Sequence, residues 1–222
     1  MALSLSLALS AAALIATVAL AHPAQADALL FQTATTDPNA VAEDNTFVLQ
    51  GDGTTANSLF FGADFSVTGR TSISSIGAAF ADTATTSSGG PIFGAIVSVD
   101  PTTGLPTSLV ENLANTALAF ALFTPTTDGD NTVSLSLVLN PGTYGVVFGS
   151  GLFGATTGVA GLLAGEDTVG SPSIFEYDFG PAGPATENDV RLLVNTVPEP
   201  TSLALLASGL VLAGAARRRR RA

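Results

Sequence analysis

The strict alternation along residues 132–139 constrains the fold of this chain more than any other local pattern. Odd positions carry aliphatic side chains, and even positions carry mostly hydroxyls; the aliphatic residues are Val133, Leu135, Leu137 and Leu139. Successive side chains of a strand point to opposite faces, so this period of two puts the four aliphatics on one face. A turn sequence at residues 140–142 and a second apolar run at 143–148 follow. We therefore predict a β-hairpin over residues 132–148.

Similar short apolar runs recur along the chain, most of them bounded by Gly, Pro, Asp, Asn or Ser. They cover residues 46–50, 58–67, 72–80, 92–99, 116–123, 173–179 and 190–194. Many short strands separated by turn signals predict an all-β fold, and specifically a single jelly-roll-like β-sandwich. A β-helix is the alternative, but it requires a repeat of fixed period, and the chain has none. Residues 151–165, rich in Gly, Ala and Leu, are expected to form a short helix or a buried loop.

The C-terminal segment has three parts in a fixed order. Val197, Pro198, Glu199 and Pro200 come first, and the prolines impose an extended break because they cannot donate a backbone hydrogen bond. An uncharged apolar stretch, residues 201–216, is predicted to be a transmembrane helix. A basic cluster follows, which marks the cytoplasmic side of a membrane segment; it consists of Arg217, Arg218, Arg219, Arg220 and Arg221.

This segment resembles the PEP-CTERM sorting signal of Gram-negative bacteria. Pro198-Glu199-Pro200 corresponds to the motif, residues 203–216 to the helix, and the five arginines to the basic cluster. The resemblance implies transient insertion in the inner membrane, cleavage near the motif by an exosortase-like membrane protease, and delivery to the cell surface or extracellular matrix. Some secreted ice-binding proteins carry a similar tail, so the tail does not define the rest of the protein.

A permanent C-terminal anchor is the alternative interpretation of the same segment. Sixteen apolar residues in a helix span about 24 Å, which is less than the ~30 Å hydrocarbon core. Arginine snorkelling and local thinning of the bilayer can close such a gap. The short span nevertheless favours a tail that is processed.

The N-terminal segment predicts export. Residues 3–20 are apolar, and Ala24-Gln25-Ala26 forms an A-x-A cleavage site, with Ala24 and Ala26 as its small residues. We therefore expect a signal peptide at residues 1–26, one β-sandwich domain at 27–196 and the sorting tail at 197–222.

The charge of the predicted domain excludes nucleic acid as a partner. Residues 27–196 carry seventeen acidic side chains and only two basic ones, Arg70 and Arg191, a net charge of −15. Phosphate binding requires clustered Lys and Arg, which this surface lacks.

The inventory of reactive side chains argues against an enzyme. The chain has no Cys and no Lys, and its one histidine, His22, lies in the predicted signal peptide. Ser-His-Asp and Cys-His catalysis, Schiff-base chemistry and His-ligated zinc are thereby excluded from the mature domain. We expect neither an enzymatic activity nor a cofactor.

A glycine motif at residues 149–154 matches G-x-G-x-x-G. The dinucleotide-binding fingerprint also requires a helix that opens within the motif and a surrounding βαβ unit. Thr156-Thr157-Gly158 follows almost at once, so we interpret these glycines as structural, allowing a tight bend.

Carboxylates are the remaining candidates for chemistry. Glu176 with Asp178, and Glu187 with Asp189, share a face at i, i+2 if each segment is extended. Paired carboxylates are what glycoside hydrolysis requires, but polar alternation on a solvated strand gives the same pattern. The solvated face is the favoured interpretation.

A calcium site is the weaker possibility at the turn before residue 132. Asp128, Asp130 and Asn131 offer oxygen ligands at i, i+2 and i+3. The bidentate Glu that an EF-hand needs at position 12 would be Leu139, so an EF-hand is excluded. A plain Asp-Gly turn explains the same residues.

Three functions stay open from the sequence. The first is a structural or adhesive protein of the cell surface, linked to exopolysaccharide or biofilm. The second is a binding module, for which Tyr144 or Tyr177 in a groove beside carboxylates would indicate glycans, and a flat threonine array would indicate ice. The third is a carboxylate-dependent glycoside hydrolase.

Overall fold

A computed structural model of the protein describes residues 27–35, 46–50, 59–81, 89–106, 113–126, 129–164, 167–178, 183–184 and 189–197. The stretch Asp27–Thr196 forms one compact unit. The predicted signal peptide and the predicted transmembrane helix lie outside the described residues.

The described residues form fourteen strands and one helical turn. In chain order they are β1 (Ala28–Gln32), β2 (Ala34–Thr35), β3 (Thr46–Leu49), β4 (Leu59–Val67), β5 (Thr71–Phe80), β6 (Ile92–Ser98), α1 (Leu113–Thr116), β7 (Ala117–Phe123), β8 (Gly129–Leu139), β9 (Gly142–Gly149), β10 (Ala160–Leu163), β11 (Asp167–Thr168), β12 (Ile174–Asp178), β13 (Gly183–Pro184) and β14 (Leu192–Thr196). The prediction of an all-β fold is confirmed.

Strands β3 to β10 form a jelly roll. One sheet, sheet I, contains β3, β10, β5 and β8 in that order, and the other, sheet II, contains β4, β9, β6 and β7. Every connection between consecutive strands of this set changes sheet except the one from β6 to β7. Such alternation between two packed antiparallel sheets is the jelly-roll arrangement that the sequence predicts.

Four further strands extend the two sheets. In sheet I, β14 pairs with β5 over Ile73–Ala78, and β1 pairs with the other edge of β14. Because β14 occupies that edge of β5, β10 reaches β5 only at the end of the strand, where Leu162 faces Phe80. In sheet II, β12 adds to β4, and β13 adds to β12. The short strands β2 and β11 pair with each other.

The core lies between the two sheets. Its largest fully buried side chains include Phe61 and Phe148 from sheet II and Phe80, Ile76 and Leu192 from sheet I. Along β8 the even residues 130–138 are exposed, whereas the odd residues face the core, so the predicted alternation is confirmed.

The predicted hairpin over residues 132–148 is wrong. β8 pairs with β5 in sheet I, while β9 pairs with β4 and β6 in sheet II. The turn at residues 140–141 therefore crosses from one sheet to the other, and the Tyr144 hydroxyl donates to the carbonyl of Asn140 at 3.0 Å. The core-facing residues of the two strands, including Leu135 of β8 and Val146 and Phe148 of β9, belong to one cluster between the sheets, so they meet across the sandwich instead of lying side by side in one sheet.

Sheet II also buries part of its outer face. Phe60, Phe93 and Phe175 pack there, and α1 together with the loop after β9 closes over them. Glycines leave room for the rings: a Cβ at Gly62 would come 2.6 Å from the Phe175 ring, and one at Gly149 would come 2.1 Å from the Phe60 ring.

Of the two expectations for residues 151–165, the described part, 151–164, contains no helix. A loop that is only partly buried follows β9, with Gly154, Thr156 and Thr157 exposed, and the segment then enters the four-residue strand β10.

Candidate functional site at the paired ends of β1 and β14

The last described strand holds the end of the domain in place beside its beginning. Ala28 of β1 faces Thr196 of β14, and the Thr196 hydroxyl donates to the carbonyl of Ala28 at 3.3 Å. Val197 follows directly and is 53% exposed. Of the predicted motif, Val197 is thus placed on the surface; Pro198, Glu199, Pro200 and the five arginines lie outside the described residues.

A chain of side-chain hydrogen bonds ties both ends to the middle of sheet I. Asn195 Nδ2 donates to Ser75 Oγ at 2.9 Å, and Ser75 Oγ donates to Asp27 Oδ2 at 3.1 Å. Ser75 is buried, so its hydroxyl depends on these partners. The predicted cleavage residues Ala24 and Ala26 lie outside the described part of the chain, just before Asp27.

Arg191 anchors the start of β14. Its Nε and Nη2 donate to the two carboxylate oxygens of Asp130 at 2.7 and 2.9 Å, and its Nη1 donates to Gln32 Oε1 at 2.7 Å and to the carbonyl of Ala34. The Arg191 side chain is 11% exposed. A bidentate guanidinium–carboxylate pair is geometrically specific, so it fixes β14 against β8 and β1.

The turn proposed for calcium is organised by its own hydrogen bonds. Both carboxylate oxygens of Asp130 accept from Arg191. Asn131 Oδ1 accepts from the Thr126 amide at 3.0 Å, and Asn131 Nδ2 donates to the carbonyl of Gly129 at 2.9 Å. Asp128 lies outside the described residues. Within the part that the structure describes, no three His, Cys, Asp or Glu residues are grouped as metal ligands would be. The contacts of Asp130 and Asn131 favour the turn interpretation.

Two of the four candidate carboxylates of a hydrolase, Glu176 and Asp178, lie on one strand, β12. Glu176 lies on β12 of sheet II, where it faces Phe61 of β4. Asp189 lies shortly before β14 of sheet I. Asp178 ends β12, but its side chain is not described, and Glu187 lies outside the described residues. Glu176 and Asp178 thus share an extended strand at i, i+2, as the spacing predicts, whereas the pairing of Glu187 with Asp189 lies outside the described residues.

Two other carboxylates flank a loop on the outer face of sheet II. Burial raises the pKa of Asp64 above 3.8, although a hydrogen bond from the backbone of Ser173 opposes that effect. Gly104, at φ +70°, lets the loop approach, since a Cβ there would lie 3.2 Å from Asp64 Oδ2. The backbone and side-chain hydrogen bonds of Thr102 lower the pKa of Asp100.

The glycine motif forms a tight bend, as the structural interpretation predicts. Gly151 and Gly154 adopt φ values of +91° and +95°. Within this bend the amide of Gly151 and the hydroxyl of Ser150 both donate to the carbonyl of Ala155, the hydroxyl at 3.0 Å. Backbone donors that point at a carbonyl inside the loop are not directed at a phosphate.

The described residues place one of the two tyrosines named for a glycan-binding groove. Tyr144 is partly buried and packs its ring against Phe65, at a centroid distance of 6.1 Å. The side chain of Tyr177 is not described. The exposed face of β8 carries one threonine, Thr132, together with Asp130, two serines and Val138, so this strand is not a flat threonine array.

An exposed apolar patch on β7 was missed by the sequence reasoning. Leu118, Phe120 and Leu122 are 44%, 49% and 41% exposed, whereas the alanines between them face the core. The large side chains at every second position were the available signal, but a period of two does not show which face is buried.

Among the described residues, no helix combines the length and apolar character needed to cross a bilayer. The predicted membrane segment, residues 203–216, lies outside them.

The chain is thus an all-β jelly-roll domain followed by a tail with the layout of a sorting signal. Comparison with protein families identifies that tail: residues 196–221 match the PEP-CTERM protein-sorting motif. The motif marks an exported protein that an exosortase sorts to the surface or extracellular space. No curated protein matches the chain.

Proposed function

We propose that this protein is a non-enzymatic component of the surface or exopolysaccharide matrix of a Gram-negative bacterium, with a structural or adhesive role in biofilm. The observation that carries the proposal is the match of residues 196–221 to the sorting motif, directly after a strand that is paired on both edges. A membrane-embedded exosortase is the partner that acts on the tail, and exopolysaccharide is the partner of the delivered domain.

The make-up of the domain supports a structural role. Residues 27–196 contain no histidine, cysteine or lysine, so the common nucleophile–base pairs are absent from the domain. Its core rests on packed aromatic and aliphatic side chains, which gives a stable body without disulfides. The net charge of −15 keeps such a body soluble outside the cell.

The experiment compares the full chain with a Pro198→Ala/Glu199→Ala variant in an exosortase-containing host. Each is expressed in a wild-type strain and in a strain that lacks exopolysaccharide. The proposal predicts that the wild-type chain is retained in the matrix only where exopolysaccharide is made, and that the motif variant stays in the membrane fraction. A matched control, Ser136→Ala on the exposed face of β8, should behave as wild type.

Two results would contradict the proposal. Equal release of the wild-type chain into the medium of both strains would remove the link to exopolysaccharide. Hydrolysis of exopolysaccharide by the purified protein, abolished by Glu176→Gln, would replace the structural role with an enzymatic one.

A further inference from the structure

The exposed face of β7 is the strongest unassigned feature of the described surface. Among the described strands, β7 pairs only with β6, so it forms an edge of sheet II. Its outer face consists of Leu118, Phe120 and Leu122, all more than 40% exposed. Edge strands usually carry Lys, Pro or inward-pointing charge that prevents pairing with other chains, and β7 carries none of these.

The aromatic centre of this patch is held in place. Phe153 stacks on Phe120 with ring centroids 4.4 Å apart and planes at 26°, and it also meets the Phe93 ring edge-on at 4.9 Å. Phe153 adopts φ +56°, a left-handed conformation that costs a non-glycine residue of order 1 kcal/mol or more. The strained conformation of Phe153 thus places its ring against Phe120. A surface that is already ordered loses little conformational entropy when a partner binds.

The sequence of β7 is self-complementary. Residues 118–122 read Leu-Ala-Phe-Ala-Leu, and the strand Ala117–Phe123 is centred on Phe120. In a two-fold interface, residue i contacts j and j contacts i. If two β7 strands run antiparallel about an axis at Phe120, each Leu118 faces Leu122 of the second copy, each Ala119 faces Ala121, and Phe120 faces Phe120.

The charge distribution also fits a second copy of the chain. Each domain carries a net charge of −15, so two domains repel unless they meet where carboxylates are absent. No charged residue occurs between Glu111 and Asp128, a stretch that contains all of β7. A cationic partner would find no counter-charge on this face, whereas another apolar, uncharged strand matches it.

We infer that two copies of this protein associate through an antiparallel, two-fold pairing of their β7 strands. The apolar patch is small beside the ~1,200–2,000 Å² that stable complexes bury, so the dimer is weak and forms at high local concentration. Sorting to the cell surface supplies that concentration. Pairing is measured on the protein itself, so it is tested separately from the proposed link to exopolysaccharide.

The absence of cysteine allows a clean cross-linking test. Leu118→Cys alone, Leu122→Cys alone and an equimolar mixture of the two are oxidised on the surface-released protein at rising concentration. Opposite residues of antiparallel strands have Cα atoms about 4.5–5.5 Å apart, within disulfide reach, whereas two copies of the same leucine are about 13 Å apart along the strand. The inference predicts a disulfide-linked dimer in the mixture, at least tenfold more than in either single variant.

A charge variant supplies the second measurement. Phe120→Asp places two carboxylates on the axis, and it is expected to abolish the concentration-dependent dimer in sedimentation. Ser136→Asp, on the exposed face of β8, is the matched control and keeps it. Circular dichroism and thermal melting verify that both variants fold.

The inference is overturned if the mixture forms no more disulfide-linked dimer than either single variant. It is also overturned if the wild-type protein stays monomeric at all concentrations. Exopolysaccharide binding by a monomer that depends on Phe120 would assign the patch to a glycan instead.

Discussion

Ala28 and Thr196 face each other in antiparallel register, so the first and last strands of the domain end side by side. Ala28 lies just after the predicted signal peptide, and Thr196 is the first residue of the matched sorting motif. The start and the end of the domain therefore lie beside each other in sheet I.

Ser75 is predicted to hold these ends together. Ser75→Ala removes the hydroxyl that accepts from Asn195 and donates to Asp27. Because both partners then lose a half-buried hydrogen bond, the free energy of unfolding should fall by about 1–2 kcal/mol. Compared with the wild-type protein, the Ser75→Ala variant should show faster hydrogen exchange at the amides of β1, with a smaller change at those of β9. The exposed Ser136→Ala serves as the control, and unchanged exchange in β1 would show that the network does not hold the strand.

Arg191 is predicted to be the most important polar side chain for stability. Arg191→Met leaves the Asp130 carboxylate and the Gln32 side chain without the guanidinium. Since Asp130 is 36% exposed and can regain water, we expect a loss of about 2 kcal/mol in urea unfolding, less than for a fully buried pair. Asp130→Asn keeps one acceptor and should cost less. An Arg191→Met protein as stable as wild type would show that the ion pair contributes only specificity.

Gly158 is predicted to be intolerant of any side chain. A Cβ there would lie 1.8 Å from the carbonyl oxygen of Pro91, which is backbone and cannot rotate away. Gly158→Ala must therefore shift one of the two chains, at a cost of about 2–4 kcal/mol in thermal or urea unfolding. Gly69→Ala is the matched control, since nothing lies within 4 Å of its Cβ. Equal stability of the two variants would contradict the close approach of Gly158 to the Pro91 carbonyl.

Asp64 is predicted to destabilise the folded protein when it is ionised. Burial raises its pKa above the ordinary 3.8, so the penalty is full above the raised pKa, declines as pH falls and is absent below 3.8. Asp64→Asn should therefore be more stable than wild type near pH 7, with a difference that vanishes in acid. Unfolding midpoints measured between pH 3 and pH 7 test this.

Asp100 supplies the opposite control. Hydrogen bonds from Thr102 lower its pKa, so its ionised form stabilises the folded protein above 3.8, and that stabilisation is lost as pH falls. Asp100→Asn should be less stable than wild type near pH 7. If the stability of both variants relative to wild type changed in the same direction with pH, the assigned environments of Asp64 and Asp100 would be contradicted.

Much of the fold could be predicted because period-two alternation is a local property. The apolar side of β8 was identified from residues 132–139 alone, and the jelly roll followed from the number and spacing of the strands. Strand partners are not local. The turn after Leu139 is compatible with a hairpin and with a crossing between sheets. In a hairpin the two strands pair in one sheet, whereas in a crossing they lie in different sheets with their apolar faces towards each other.

The orientation of an edge strand is equally invisible to local patterns. On β7 the alanines and Phe123 face the core, where Phe123 meets the Phe80 and Phe148 rings, and Phe120 faces outward. Size alternation alone would put the large residues inside. The strand β10 was not predicted because its own residues have little β propensity. It forms a strand by pairing with β3 and β5.

The intact mass of the protein released from the cell surface distinguishes a processed sorting tail from a permanent anchor. We expect one species that begins at Asp27 and ends near Pro198-Glu199-Pro200, without the arginine cluster. A full-length species of 22.1 kDa that stays in the inner membrane would contradict it.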